Sequence, residues 1–152
     1  MKKFAGWLLF ITMGFMSCTG PMGPEGPPGY STEWFVNDYD VLSEKWIPRE
    51  DVNVGPFFEY TVNIPELDDF VFNEGAVVCY LVHNVSYAGR TTLVQSPLPY
   101  TVYGLYDDGF TQYSENYSYE VGPGFIRFIT KYSDFDTGIF PLNCTFHVVL
   151  MW

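Results

Sequence analysis

The chain has 152 residues, with 18 acidic and 7 basic side chains for a formal net charge of −11, and 20% of it is aromatic. That length is one domain's worth, enough to bury roughly two thirds of the surface that the unfolded chain exposes. So acidic a surface is repelled by phosphate backbones and anionic head groups, which argues against nucleic acid as a partner and leaves a covalent lipid as the route to a membrane.

The N-terminus supplies the attachment point for such a lipid. Met1-Lys2-Lys3, an apolar run over residues 4–15 and the small Ser17 read as a secretory signal, too short to span a bilayer as a mature helix. Cys18 follows that small residue directly, where the acceptor cysteine of the bacterial lipoprotein pathway must stand. The expectation is a signal peptide over 1–17 and an acylated Cys18, whose two or three chains gain roughly 0.8 kcal/mol per buried methylene. The alternative is a plain secreted chain in which Cys18 is an incidental thiol. Losing Lys2 and Lys3 with the signal leaves five basic against eighteen acidic residues, a mature net charge of −13.

Residues 20–28 form three Gly-X-Y triplets with Pro at every X, and Gly29 follows. Such a segment favours the extended polyproline II form at about 3.1 Å per residue, so 18–30 reads as a stiff tether that holds the domain ~30 Å from the lipid. Gly at every third place also suits a collagen-like trimer. Three triplets are too few to hold three chains unaided, so a trimer needs help from the domain or the shared membrane.

From residue 31 to 152 the chain becomes rich in Val, Ile, Phe, Tyr and Trp punctuated by Pro, Gly, Asn and Asp, the pattern of short strands and turns. Residues 34–41 read as a strand, followed by an irregular stretch through Pro48 to Pro56. Residues 57–64 alternate, with Phe58, Tyr60, Val62 and Ile64 turned to the core. Behind Pro65, the spacing of Leu67, Phe70 and Val71 predicts one short helix, with Glu66, Asp68 and Asp69 where its dipole favours carboxylates and Gly75 near its end. Residues 76–82 are continuously apolar and predict a central strand buried on both faces, ended by His83 and Asn84.

Strands follow at 91–95 and 100–106, separated by Ser96-Pro97-Leu98-Pro99, where two prolines oppose ladder pairing. Asp108-Gly109 signals a hairpin whose two-residue closure sets Tyr113 opposite Gly104 and Tyr117 opposite Tyr100. The returning strand then carries Tyr113, Tyr117 and Tyr119 on one face. Gly122-Pro123-Gly124 turns the chain into 125–132, a loop fills 133–141, and 144–152 is a last strand apolar on both faces, suited to the middle of a sheet. The fold class expected is mainly β: a two-sheet antiparallel β-sandwich of about eight strands with one short helix.

Few residues suggest chemistry. Asp136-Thr137-Gly138 spells the aspartic-protease triplet but occurs once and lacks the apolar strand that precedes it, so a turn is the better reading. Asp134-x-Asp136-x-Gly138 resembles part of a calcium loop without its later bidentate Glu. His83 and His147 have no ligand-spaced partner, and no nucleophile elbow is present. Cys79 and Cys144 lie in apolar surroundings and read as buried thiols, with a disulfide as the alternative. No catalytic residue, metal site or cofactor is expected. The densest candidate for binding is the tyrosine set Tyr100, Tyr103, Tyr106, Tyr113 and Tyr117, whose flat faces and hydroxyls suit sugar rings and protein surfaces; an inward-facing row is the competing reading.

The run Cys18-x-Gly-Pro-x-Gly-Pro-x-Gly-Pro-Pro-Gly, then Gly75-Ala76-Val77-Val78-x-Tyr80-Leu81, Pro97-Leu98-Pro99-Tyr100 and Phe146-x-Val148-Val149-Leu150 resembles small Bacteroidetes lipoproteins with a collagen-like stub. That resemblance implies an outer-membrane lipoprotein of the cell envelope and lends no active-site residues. The functional expectation is a non-enzymatic, lipid-anchored domain that binds or scaffolds at the envelope, on its periplasmic or its outer side. Its partners would be membrane lipid through Cys18 and a glycan or envelope protein. A structural or oligomeric subunit and an aromatic-lined glycan-binding module are the alternatives.

Overall fold

The computed structural model describes residues 32–152. The signal segment, Cys18 and the Gly-Pro triplets lie outside them. Nine strands follow in order: β1 (Trp34–Val41), β2 (Ile47–Asp51), β3 (Gly55–Asn63), β4 (Ala76–Tyr87), β5 (Arg90–Pro97), β6 (Tyr100–Leu105), β7 (Gln112–Gly122), β8 (Phe125–Tyr132) and β9 (Cys144–Met151). One short helix, α1 (Asp69–Glu74), sits between β3 and β4. The strands form a four-stranded sheet, β1-β9-β4-β5, and a five-stranded sheet, β2-β3-β8-β7-β6. Every pairing is antiparallel, giving the expected sandwich.

The core is made by period-two alternation on the facing sides of the sheets. Phe58 of β3, Ile126 and Phe128 of β8, and Phe146, Val148 and Leu150 of β9 are all fully buried. Burying each such side chain contributes about 1.5–3 kcal/mol. At the centre the Phe128 and Phe146 rings stack across the two sheets, 4.0 Å apart and 7° from parallel. Trp46 closes the cluster edge-on to Phe146 at 6.2 Å. Its Nε1 is buried without a hydrogen-bond partner among the described residues. As expected, β9 lies inside its sheet, between β1 and β4.

Some local expectations need correction. The irregular stretch after β1 contains an additional strand, β2, which pairs with β3 from Ile47↔Glu59 to Asp51↔Gly55. It is exposed throughout, so no burial pattern marks it in the sequence. Pro48 is tolerated because β2 is an edge, whose outward N–H groups have no ladder to serve. Strand β4 does not end at His83 but runs to Tyr87 and returns through a two-residue turn, Ala88 (φ 51°) and Gly89 (φ 75°), into β5. Nor is β4 buried on both faces. Cys79 and Leu81 face the core, while Ala76 is exposed and Val78, Tyr80 and Val82 are half-buried on the outer side, which no third layer covers among the described residues.

Pairing continues into the Pro-rich segment, with Tyr80 opposite Pro97 and the Leu98 N–H donating to the Cys79 carbonyl at 2.9 Å. Strand β5 is an edge, which tolerates Pro97. The chain then crosses to the other sheet. Helix α1 begins where the carboxylate of Asp68 accepts the Val71 N–H at 2.9 Å, a side-chain N-cap. Leu67 and Val71 are buried, but Phe70 is 59% exposed and belongs to the outer face of the helix. Gly75 ends it through close approach: a Cβ there would lie 2.6 Å from the Val71 carbonyl and 2.8 Å from that of Met151.

Candidate functional site

Strands β6 and β7 pair with Tyr100 opposite Tyr117 and Gly104 opposite Tyr113, the register that Asp108-Gly109 predicts. The connection is longer than two residues, because the last ladder contact is the Tyr106 N–H donating to the Thr111 carbonyl at 2.9 Å. Its tip is fixed by the Asp108 carboxylate, which accepts from the Thr111 hydroxyl and the N–H groups of Thr111 and Phe110. These bonds hold its pKa below the ordinary carboxylate value.

Between this hairpin and the loop after β8 lies a cavity of about 250 Å³ at one end of the sandwich. Of the five candidate tyrosines, Tyr106 and Tyr113 line it, with ring centroids 5.0 Å apart. The other three do not. Tyr117 is 4% exposed and belongs to the core behind the cavity. Tyr100 packs against the imidazole of His83, 5.0 Å away. Tyr103 points to the opposite face of the sheet and is 80% exposed. The five therefore do not form one site.

Gly104 makes room for the wall of the cavity. A Cβ at that position would stand 2.5 Å from the Tyr113 ring, so only glycine lets the phenol lie across β6. Tyr132, the last residue of β8, continues the wall with its centroid 6.3 Å from that of Tyr113. The residue between Tyr113 and Tyr117 on the inward face of β7 is Glu115, opposite Tyr132 in the ladder. It lines the cavity. The Tyr117 hydroxyl donates to its carboxylate at 2.7 Å. Burial is the main cause that raises the pKa of Tyr117, and it is reinforced by this bond and by the Glu115 charge. Burial likewise raises that of Tyr132, followed by the Glu115 charge and a hydrogen bond to it. Both phenols are thus neutral, and the Tyr117 hydroxyl solvates the carboxylate without cancelling its charge.

The loop over 133–143 supplies the rest. Asp134 and Asp136 line the cavity together with Asp107 of the hairpin, and Leu105, Ile139, Phe140 and Leu142 add apolar surface. Each of these four apolar residues is exposed, Leu142 by 76%. The Asp136-Thr137-Gly138 triplet is the expected turn, with the Asp136 carboxylate accepting the Gly138 N–H at 2.6 Å. Asp134 in turn accepts the Asp136 N–H at 3.1 Å. Among the described residues no group of three or more His, Cys, Asp or Glu is placed to hold a metal ion.

Sequence reasoning missed Glu115, although period two places it on the same face as Tyr113 and Tyr117. It also passed over Tyr132. The loop residues carry no pattern that would have marked them.

The remaining reactive groups lie elsewhere. His83 shares a 2.9 Å hydrogen bond with Ser96, and His147 a 2.6 Å contact with Asp38. Cys79 and Cys144 are free thiols. Cys79 sits opposite Val148, four residues along β9 from Cys144, so the two are roughly 13 Å apart by strand rise, beyond disulfide reach. Burial pushes each thiol up to about 12, so neither is a thiolate nucleophile at neutral pH. No protein family, curated protein or solved structure matches the chain.

Proposed function

We propose that the chain is a lipid-anchored protein of the bacterial cell envelope, held in the outer membrane by acylated Cys18. In this reading the β-sandwich is a non-enzymatic binding module whose ligand enters the cavity between the β6–β7 hairpin and the loop after β8. The observation that carries it is the cavity, with tilted tyrosine rings along its wall and a carboxylate set into its lining. A concave pocket lined by aromatic and aliphatic side chains with a few convergent polar groups is the usual form of a ligand site. The anchor rests on the position of Cys18 behind Ser17, and the Gly-Pro triplets would set the domain's height above the membrane.

A fragment screen by thermal shift on the full chain, repeated on Tyr113→Ala, tests the site. Stabilising fragments should lose their effect in the variant, and hits that survive the substitution would remove the cavity from consideration. Labelled palmitate tests the anchor: it should enter the protein and disappear with Cys18→Ser.

A second reading, a structural or oligomeric subunit, is favoured by the outer face of the four-stranded sheet. There Trp34, Val36 and Leu93 are 64%, 52% and 64% exposed, with Val78 and Tyr80 half-buried between them. Cross-linking intact cells and recovering only monomers would eliminate it.

A further inference from the structure

We infer that the cavity takes an organic monocation, an ammonium or guanidinium group on a short hydrocarbon or aromatic stem, with its charge toward Glu115 and its stem against Tyr106 and Tyr113. The inference rests on the reading of this cavity as the ligand site and adds the chemistry of its occupant.

The cavity has aromatic walls, negative charge and no internal counter-ion. Tyr106 and Tyr113 stand 5.0 Å apart, and Tyr113 and Tyr132 6.3 Å. The faces of such rings carry negative potential and attract cations. Glu115 receives the Tyr117 hydroxyl at 2.7 Å and stands opposite Tyr132 in the ladder, and neither phenol is a cation. Asp107, Asp134 and Asp136 add three carboxylates, and no Lys, Arg or His is among the lining residues. The neighbouring cations are committed elsewhere. Lys131 donates to the Val54 carbonyl at 2.6 Å, Arg49 pairs with Glu59, and Arg127 pairs with Glu59 and Glu120.

A bare metal ion does not suit the site, because the carboxylates are not grouped as ligands. A guanidinium is weakly hydrated and spreads its charge, and an ammonium on an apolar stem can turn its charge to the carboxylate, so either can meet the ring faces and Glu115 together. The volume of about 250 Å³ admits an arylalkylamine or an arginine side chain. Exposed Ile139 and Leu142 at the mouth provide apolar contact for a stem.

The test is calorimetry on the full chain in non-ionic detergent, with two pairs of probes that differ in charge alone. The first pair is 2-phenylethylamine against 2-phenylethanol. The second is N-acetyl-argininamide against N-acetyl-citrullinamide, which represents a basic side chain of a peptide. The cation of at least one pair should bind about tenfold tighter than its neutral partner, and the pair that discriminates identifies the source of the ligand. Glu115→Gln should abolish that preference, so that the cation binds no tighter than its neutral partner. Raising NaCl from about 50 to about 500 mM should weaken the cation several-fold and leave the neutral probe unaffected.

Equal binding within both pairs, weakened throughout by Tyr113→Ala, would overturn the cation and leave the ligand site standing. Preferential binding of a neutral sugar such as glucose would do the same. Probes that do not bind, or that bind Tyr113→Ala as tightly as the unaltered protein, would overturn the site and the inference with it. Should Glu115→Gln fail to fold, the charge pairs and the salt series on the unaltered protein still decide the matter.

Discussion

The inward face of β7 and β8 differs sharply from one end to the other. Toward the β7–β8 turn, Val121 stands opposite Ile126 and Tyr119 opposite Phe128, and the facing sheet closes over them with Phe146 stacked on Phe128. Toward the β6–β7 hairpin the same ladder presents Glu115 opposite Tyr132, and here the sandwich opens into the cavity. One pair of strands therefore serves a dry core at one end and a polar recess at the other. The change from phenylalanine to tyrosine and glutamate marks where close packing stops.

The largest effect should fall at the packed end. Phe146→Ala removes the ring that meets Phe128, Trp46 and Tyr117, and should cost about 3–5 kcal/mol, read from denaturant unfolding. Alkaline pH should also strike the packed interior. The folded pKa of Cys79 is raised by burial from 9.0 to about 12, so its contribution is intact below pH 9 and is lost as pH climbs toward 12. The slope is about 1.4 kcal/mol per pH unit. Cys79→Ala should flatten that part of the stability curve, even if it lowers the plateau.

The open end should respond in binding more than in stability. Gly104→Ala drives a methyl into the Tyr113 ring, at a cost of about 1–3 kcal/mol, and should weaken any cavity ligand by more than its effect on folding would predict. Away from both ends, Ala88→Asn places a side chain that tolerates positive φ into the β4–β5 turn and should stabilise the fold by about 0.5 kcal/mol, seen as a small rise in melting temperature. Smallest of all, Tyr103→Ala should change neither stability nor binding beyond about 0.5 kcal/mol, since that ring projects to the far face. A loss of ligand in this variant would move the site away from the cavity.

The same contrast explains what could be read from the sequence. Elements with one buried face and one wet face were legible, as in β3, where Phe58 and Val62 are buried and Tyr60 between them is half-buried. Turn chemistry carried the β6–β7 register, because Asp108-Gly109 fixes which residues meet. Edge β2 was not legible: Ile47, Pro48, Arg49, Glu50 and Asp51 are all exposed and show no alternation. The β4–β5 turn escaped because Ala88 is not a residue that announces positive φ. At the site, tyrosine density pointed to the right hairpin, and Tyr106 and Tyr113 are in the cavity. Tyrosine content alone could not separate these two from Tyr103, whose parity turns it outward, or from Tyr117, which is sealed in the core. The loop over 133–143 contributes through tertiary position, which no local pattern encodes.

Trp46 gives this architecture a built-in optical reporter. Its indole is buried, without a hydrogen-bond partner among the described residues and flanked by Tyr60 and Phe146, so its emission belongs at the blue end of the tryptophan range, while Trp34, 64% exposed, emits further to the red. Loosening of the two layers therefore registers as a red shift in intrinsic fluorescence, which lets unfolding of the purified protein be followed without a label.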